Sequence, residues 1–243
     1  MEIIADLHTH TIACGHAYST LEEMVRGAKE KGLELLATTD HGPCMPGGCH
    51  LYYFYNLAIL PEVIDGIRVL KGVEANITDA RGTLDLPVAV LKEMDIVLAG
   101  MHFLTGYNGG TKAENTEAMI NAMKNSLVDV IVHPGNPEFE VNVEQVVETA
   151  LENDVLLEIN NSSFRKSRTG SWDNCLDIAH TAKEAGLEVI VSSDAHFSRD
   201  VGRVQKALQL IEKAGLEEKD ILNTSLERVT EFVKAKKEFK DRM

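Results

Sequence analysis

The sequence predicts an α/β fold, a closed or nearly closed parallel barrel forming a single domain over residues 1–243. Three observations carry that expectation. Short runs rich in Val, Ile and Leu alternate with longer amphipathic segments along the chain. There are seven such runs of four to seven residues each, as buried parallel strands require. No Ser- or Pro-rich linker, low-complexity run or shift in composition interrupts the rhythm. An open doubly wound sheet is the alternative.

The expected strands are Glu2–Leu7, Leu33–Thr39, Ile67–Gly72, Ile96–Met101, Val128–Val132, Val155–Ile159 and Glu188–Val191. The first helix, Thr20–Lys31, follows Ser19, with Glu22 three residues on as a capping box, and stops at Gly32. Asn115–Asn125, Val143–Asn153, Asp173–Ala185 before Gly186, and Val201–Ala214 before Gly215 follow the same pattern. The last helix, Ser225–Phe239, places Leu226, Val229, Phe232, Val233 and Phe239 on one stripe, with Thr224 and Glu227 as its capping box.

Composition excludes several classes of protein. With 44% hydrophobic residues the chain carries enough apolar side chains for a core, unlike a disordered segment. Its net charge of −14 opposes phosphate neutralisation. The basic cluster Lys234, Lys236, Lys237, Lys240 and Arg242 alternates with Glu and Asp. No nucleic-acid partner and no membrane are therefore expected. The uncharged stretch His41–Pro61 is too punctuated by Pro and Gly to span a bilayer. No secretory signal is visible, and Cys14, Cys44, Cys49 and Cys175 lack framework spacing, so a cytoplasmic setting with reduced thiols is expected.

The nine histidines point to the chemistry. All but His180 fall at the expected strand ends or in the loops after them, on the face where barrel enzymes gather their reactive groups. In Asp6-Leu7-His8-Thr9-His10 the two imidazoles sit about 7 Å apart on one side of a strand and can grip one ion. His16 could reach a second ion, and Asp6, on the same face one layer down, could hold an imidazole tautomer. Further strand ends bring His41, Glu74, His102, His133, and Asp194 with His196. Seven histidines and two carboxylates crowded on one rim would repel if charged. Metal coordination removes that conflict.

The ordered series DLHTH, CGH, TDHG, GVEAN, AGMHF, VHPG and SSDAH, spread from Asp6 to about Arg203, resembles the PHP (polymerase and histidinol phosphatase) family. Within it, the likeness is to the YcdX-type branch, whose members are named phosphatases and hold a trinuclear metal site. The resemblance implies a distorted TIM-like (β/α)7 barrel and three divalent ions, Zn2+ first, with Mn2+ or Fe2+ as alternatives. It implies hydrolysis of small phosphate monoesters by a metal-bridging hydroxide. Carried over by motif, His8, His10 and Asp194 would hold one ion. Glu74 would bridge it to a second ion held by His102 and His133, and His16, His41 and His196 would cage a third. Asp194, with a spare oxygen, would also take a catalytic proton. Three divalent ions outweigh two carboxylates, so the rim could attract phosphate on an acidic chain.

The loop after the sixth strand offers Asn160, Arg165 and Lys166 as substrate contacts, and Arg199 after His196 has a similar position. Cys44, Cys49 and His50 are too few for a closed zinc site, and their loop reads as a lid with Tyr52, Tyr53 and Phe54 at the pocket border. Cys14 reads as a small loop filler or an oxidation-sensitive neighbour of the ions, and His180 as a helix-surface residue. The expected partner is a small phosphorylated substrate, with homo-oligomerisation left open. Two alternatives stand beside the phosphatase reading: a nuclease-like phosphodiesterase, and a non-catalytic domain that uses metal for stability or partner binding.

Overall fold

The apolar runs form a ring of seven parallel strands in the computed structural model, which describes residues 1–165 and 168–243. In order around the ring these are β1 (Ala5–Asp6), β2 (Leu35–Thr38), β4 (Ile67–Asn76), β5 (Ile96–Gly100), β6 (Val130–Ile131), β7 (Leu156–Asn160) and β8 (Val189–Ser192). A short β3 (Val63–Ile64) pairs antiparallel with β4. Its two-residue turn is Asp65-Gly66, both at positive φ (51° and 87°), a left-handed conformation that favours Gly. The ring is thus a nearly closed, TIM-like α/β barrel.

The helices are α1 (Leu21–Glu30), α2 (Leu51–Asn56), α3 (Val88–Glu93), α4 (Lys112–Met123), α5 (Val143–Glu152), α6 (Ser171–Ala185), α7 (Gln205–Ala214) and α8 (Leu226–Arg242). Two expected caps are off by one residue. Thr20, not Ser19, caps α1 in a capping box with Glu23, while the Ser19 hydroxyl accepts the Ser198 N–H at 3.0 Å. Ser225, not Thr224, caps α8, because the Thr224 hydroxyl donates to the Ile221 carbonyl at 2.8 Å. Helix α7 starts at Gln205 rather than Val201, since a turn at Val201-Gly202, with Gly202 left-handed (φ 67°), comes first. Strand β1 is shorter than Glu2–Leu7, and β4 runs past Gly72 to Asn76, carrying Glu74 inside the ladder.

Alternation along the strands divides the interior into two levels. Ala5, Leu35, Ala37, Leu70, Ile96, Leu98, Val130, Leu156 and Ile190 fill the lower barrel as one buried cluster, floored by Leu222 and by Val229 and Val233 of α8. Higher on the same inward positions stand Glu74, Glu158 and Ser192, all buried. The inside therefore turns from apolar to ionisable at the C-terminal ends of the strands. Gly100 keeps that level open, because a Cβ there would lie 2.9 Å from the His133 ring and 3.0 Å from the His102 ring.

Strands β1 and β8 share no ladder. A single bridge between Thr9 and Ala195 joins them above, and the side chain of Asn223 fills the gap below. Its amide donates to the Ala5 carbonyl (2.7 Å) and the Val191 carbonyl (2.6 Å), and its oxygen accepts the Val191 N–H at 3.0 Å. Replacing Asn223 by Leu orphans these buried backbone groups. We expect a loss of about 3 kcal/mol in denaturant unfolding, and a loss below about 1 kcal/mol would show that the seam does not depend on this residue. Among the described residues, no helix is long and apolar enough to cross a membrane.

Candidate metal centre

The structure brings all nine residues of the expected ligand set to one end of the barrel, around the carboxylate of Glu74. Its Oε1 lies 2.9 Å from His102 Nε2 and 2.8 Å from His133 Nε2. Its Oε2 lies 3.3 Å from His8 Nε2, 3.2 Å from His10 Nε2 and 2.9 Å from His41 Nδ1. Asp194 Oδ1 faces the same nitrogens of His10 (3.4 Å) and His8 (3.7 Å), and His196 Nδ1 is 3.4 Å from it. The His16 ring stands 5.2 Å from the His41 ring and 4.9 Å from the His196 ring.

Divalent cations fit this donor set. Facing ring nitrogens lie 3.0 Å apart between His8 and His10, and 3.2 Å apart between His102 and His133. Two imidazoles on a tetrahedral zinc ion are separated by about 3.3 Å at ordinary Zn–N lengths. Among the described residues, His41 Nδ1, Glu74 Oε2 and His102 Nδ1 are buried without a hydrogen-bond partner, an arrangement that is costly unless something else is bound. Among the described residues, four groupings converge closely enough to hold an ion: His8, His10 and Asp194; His41, Glu74 and His102; His10, His41 and His196; and His10, Cys14 and Asp40. The first is the expected set. The second and third divide the residues differently, pairing His41 with Glu74 and using His10 where His16 was expected, and the fourth draws in Cys14 and Asp40 from outside the expected nine.

Electrostatics make the crowding plain. Burial pulls His8 down, but the carboxylates of Glu158, Glu74 and Asp194 outweigh it and hold the ring well above the usual imidazole range. His10 is raised in the same way, burial being overcome by Asp194, Cys14 and Glu74. Burial and neighbouring cations push His133 and His196 down to about 4 each, and His41 well below its ordinary value. Burial raises Glu74 and Asp194, yet the surrounding histidines hold both well below the carboxylate range. Cations bound here would take the place of the protons such a cluster otherwise shares.

Comparison with known proteins identifies the family. The PHP domain model matches residues 6–162, and a PHP-associated model matches residues 177–230. The chain belongs to the PHP domain family. A protein named probable phosphatase from Thermoanaerobacter sp. (strain X514) is 51% identical over 237 residues, covering 98% of this chain and 97% of that one. Another of that name, from Acetivibrio thermocellus, is 47% identical and covers 98% of both chains. Among solved structures, histidinol phosphate phosphatase from Lactococcus lactis, complexed with zinc, L-histidinol and phosphate, aligns with a TM-score of 0.63. It is 17% identical, over 89% of this chain and 95% of that one. A chain of an archaeal ribonuclease P with mature tRNA aligns with a TM-score of 0.61 at 14% identity, over 98% and 91%. At these identities the structural likeness concerns the fold alone.

Two features of this PHP domain centre escape sequence reasoning. The first is Glu158, whose Oε1 accepts the His8 Nδ1–H at 2.7 Å and whose Oε2 accepts the His133 N–H at 2.7 Å. The run Val155-Leu156-Leu157-Glu158 carries the same signal as Gly72-Val73-Glu74, a lone carboxylate inside an apolar strand. The second is Arg168, whose guanidinium meets Asp194 Oδ2 at 3.0 Å. Asp6 does not orient an imidazole as expected. Its carboxylate accepts from the Ser193 hydroxyl and N–H and from the Gly202 N–H, tying β1 to the loop after β8.

The weaker candidates separate in the PHP domain. Asn160 is fully buried, donating to Glu158 (3.0 Å) and Asp194 (3.2 Å), and is not among the residues that line the cavity above the cluster. Arg165 stands at the rim, paired with Asp200 at 3.0 Å, and Lys166 lies outside the described residues. Arg199 lines a separate groove with Glu23, Arg26 and Lys31 of the α1 region, away from the cluster. Cys44 is exposed, Cys49 is buried, and His50 caps α2 by accepting the Tyr52 N–H, which leaves no zinc triad. The lid reading is only partly met: Tyr53 donates to Asp40 at 2.5 Å, Phe54 is buried and Tyr52 is exposed. Cys14 Sγ sits 3.5 Å from His10 Nδ1 and accepts the His41 N–H, and His180 is exposed on α6. Above the cluster opens a cavity of about 460 Å³, lined by His16, His41, Glu74, His102, Asp194 and His196, with Tyr18, Met45, Arg165, Arg168 and Phe197 among its other walls.

Proposed function

We propose that this chain, acting as one domain over residues 1–243, is a metal-dependent phosphatase that hydrolyses small phosphate monoesters at a three-ion centre. The observation that carries the reading is the shared carboxylate of Glu74, with one oxygen toward His102 and His133 and the other toward His8, His10 and His41. Such an arrangement suits a bridge between two cations and is hard to account for otherwise. His8, His10 and Asp194 would hold one ion, His102 and His133 a second, and His16, His41 and His196 a third, with Zn2+ first and Mn2+ or Fe2+ as alternatives. Divalent ions supply Lewis acidity and lower the pKa of water at neutral pH. The relatives named probable phosphatases support the class of reaction.

The chain's own groups then take defined parts. Arg168, at the cavity wall, offers a guanidinium to a phosphoryl oxygen, with Arg165 further out. Asp194 keeps Oδ2 toward Arg168 and Asn160 and Oδ1 toward the histidines, so its ionised carboxylate can accept a proton in the reaction. The four free cysteines suit a reducing, cytoplasmic setting.

The test pairs elemental analysis of the purified protein with phosphate release from a panel of small monoesters, before and after chelation. Replacing Asp194 by Asn should lower kcat about 10²- to 10³-fold and leave KM nearly unchanged. Near-wild-type turnover would refute the role of Asp194. Hydrolysis of DNA or other phosphodiesters in preference to monoesters, or no hydrolysis with metal fully bound, would overturn the proposed activity.

A further inference from the structure

We infer that Glu158 is the positioning residue of the metal centre, acting from β7, a strand that supplies none of the nine expected ligands. The inference rests on the metal-centre reading above and assigns the group that holds its ligands in place.

Four hydrogen-bond donors converge on this one buried carboxylate. Oε1 accepts from His8 Nδ1 at 2.7 Å and from the Ser192 hydroxyl. Oε2 accepts from the His133 N–H at 2.7 Å and from Asn160 Nδ2 at 3.0 Å. An ionised carboxylate only accepts, through about four lone-pair sites, so all four donors can be satisfied at once. An amide cannot do this. With the NH2 of Gln toward the His133 N–H and Asn160 Nδ2, two hydrogen bonds are lost. Turned toward Ser192 and His8, it forces His8 to accept at Nδ1 and moves the ring proton to Nε2, the metal-facing atom.

Three of these contacts reach three different proposed ligands. The proton that His8 donates from Nδ1 leaves a lone pair on Nε2, the atom that faces His10, Glu74 and Asp194. His133 has a left-handed backbone (φ 37°), unusual for a residue other than Gly, and its N–H ends on Glu158. Asp194 is also left-handed (φ 53°), and Asn160, itself held by Glu158, donates to its Oδ2 at 3.2 Å. Backbone strain of this kind persists only where the surroundings over-determine it. Ladders to β6 and β8 on either side keep β7 rigid enough to do so.

The test uses the full-length chain loaded with zinc. In the wild-type protein, ring ¹⁵N shifts should show His8 protonated at Nδ1 and metal-bound at Nε2. Replacing Glu158 by Gln should weaken zinc about 10- to 100-fold in competition with a chelator. The fixed His8 pattern should be lost with it, while the circular dichroism spectrum is retained. Unchanged zinc affinity and an unchanged His8 spectrum in the variant would overturn the inference while leaving the metal centre standing. If the variant does not fold, the wild-type spectrum decides: His8 bound through Nδ1 overturns the inference, and the stated pattern upholds it. A wild-type chain that binds no zinc would remove the metal-centre reading itself.

Discussion

Replacing Glu74 by Gln is expected to cut phosphate release from small monoesters by at least about 10³-fold, roughly 4 kcal/mol of transition-state stabilisation. The substitution barely changes shape, so the loss isolates the charge. Five imidazole nitrogens lie within 2.8–3.3 Å of the two carboxylate oxygens. An amide can offer its oxygen to only one of these two groups, and its NH2 is no ligand. Bound metal should fall by about one ion per chain or more, as measured by elemental analysis. A variant with full metal content and turnover within tenfold of wild type would show that Glu74 does not bridge the ions.

The largest effect on stability is expected at the floor of the barrel. Lys240 and Asp129 form an ion pair at 2.6 Å with both side chains fully buried. The same Asp129 oxygen accepts the Val97 N–H at 2.8 Å, and Lys240 Nζ also reaches the Met94 carbonyl at 3.4 Å. Replacing Lys240 by Met leaves a buried carboxylate without its counter-charge. The expected cost is about 3–5 kcal/mol, a fall in Tm of roughly 6–20 °C for a chain of this size. Burial already pushes Asp129 up despite the pull of Lys240, and loss of the lysine pushes it further. A carboxylate raised in the folded state binds its proton more readily there than in the unfolded chain, so stability falls as pH rises through that window. The variant's deficit should therefore shrink as pH drops from 7 toward the unfolded carboxylate range near 4. Adding Asp129→Asn should restore part of the loss, because an amide oxygen still accepts from Val97. A deficit below about 1 kcal/mol at pH 7 would mean that the pair contributes little.

Much of this molecule is legible in its sequence because buried parallel strands are apolar on both faces. Runs such as Ile96-Val97-Leu98-Ala99 stand out against amphipathic helices. The rim is legible for a related reason: His102 and His133 follow directly after such runs, where strand direction alone decides which end they occupy. Other features depend on contacts that no local pattern shows. Helices α2 and α3 span six residues each, too short for a hydrophobic period to declare itself. Ser19-Thr20 and Thr224-Ser225 offer two hydroxyls for one cap, and tertiary partners choose between them. The Asp65-Gly66 hairpin, by contrast, is a strong turn signal in the residues themselves. Asp6 and Glu158 could exchange roles as far as spacing goes. Only the register of the ring places Glu158 beneath His8 and turns Asp6 toward Ser193 and Gly202.

The seam at Asn223 bears on how the chain reaches its folded form. Asn223 meets Ala5 across 218 positions of sequence. During synthesis β1 can pair with β2 early, yet the lower seam to β8 cannot form until residue 223 has emerged from the ribosome. Contacts of such long range repay their loop entropy late. Until then the edges of β1 and β8 stay open to pairing with other chains. The proposed ligands straddle the same gap, His8 and His10 on one side and Asp194 and His196 on the other. Capture of the proposed metal ions would thus be tied to ring closure, among the last long-range events in the maturation of the chain.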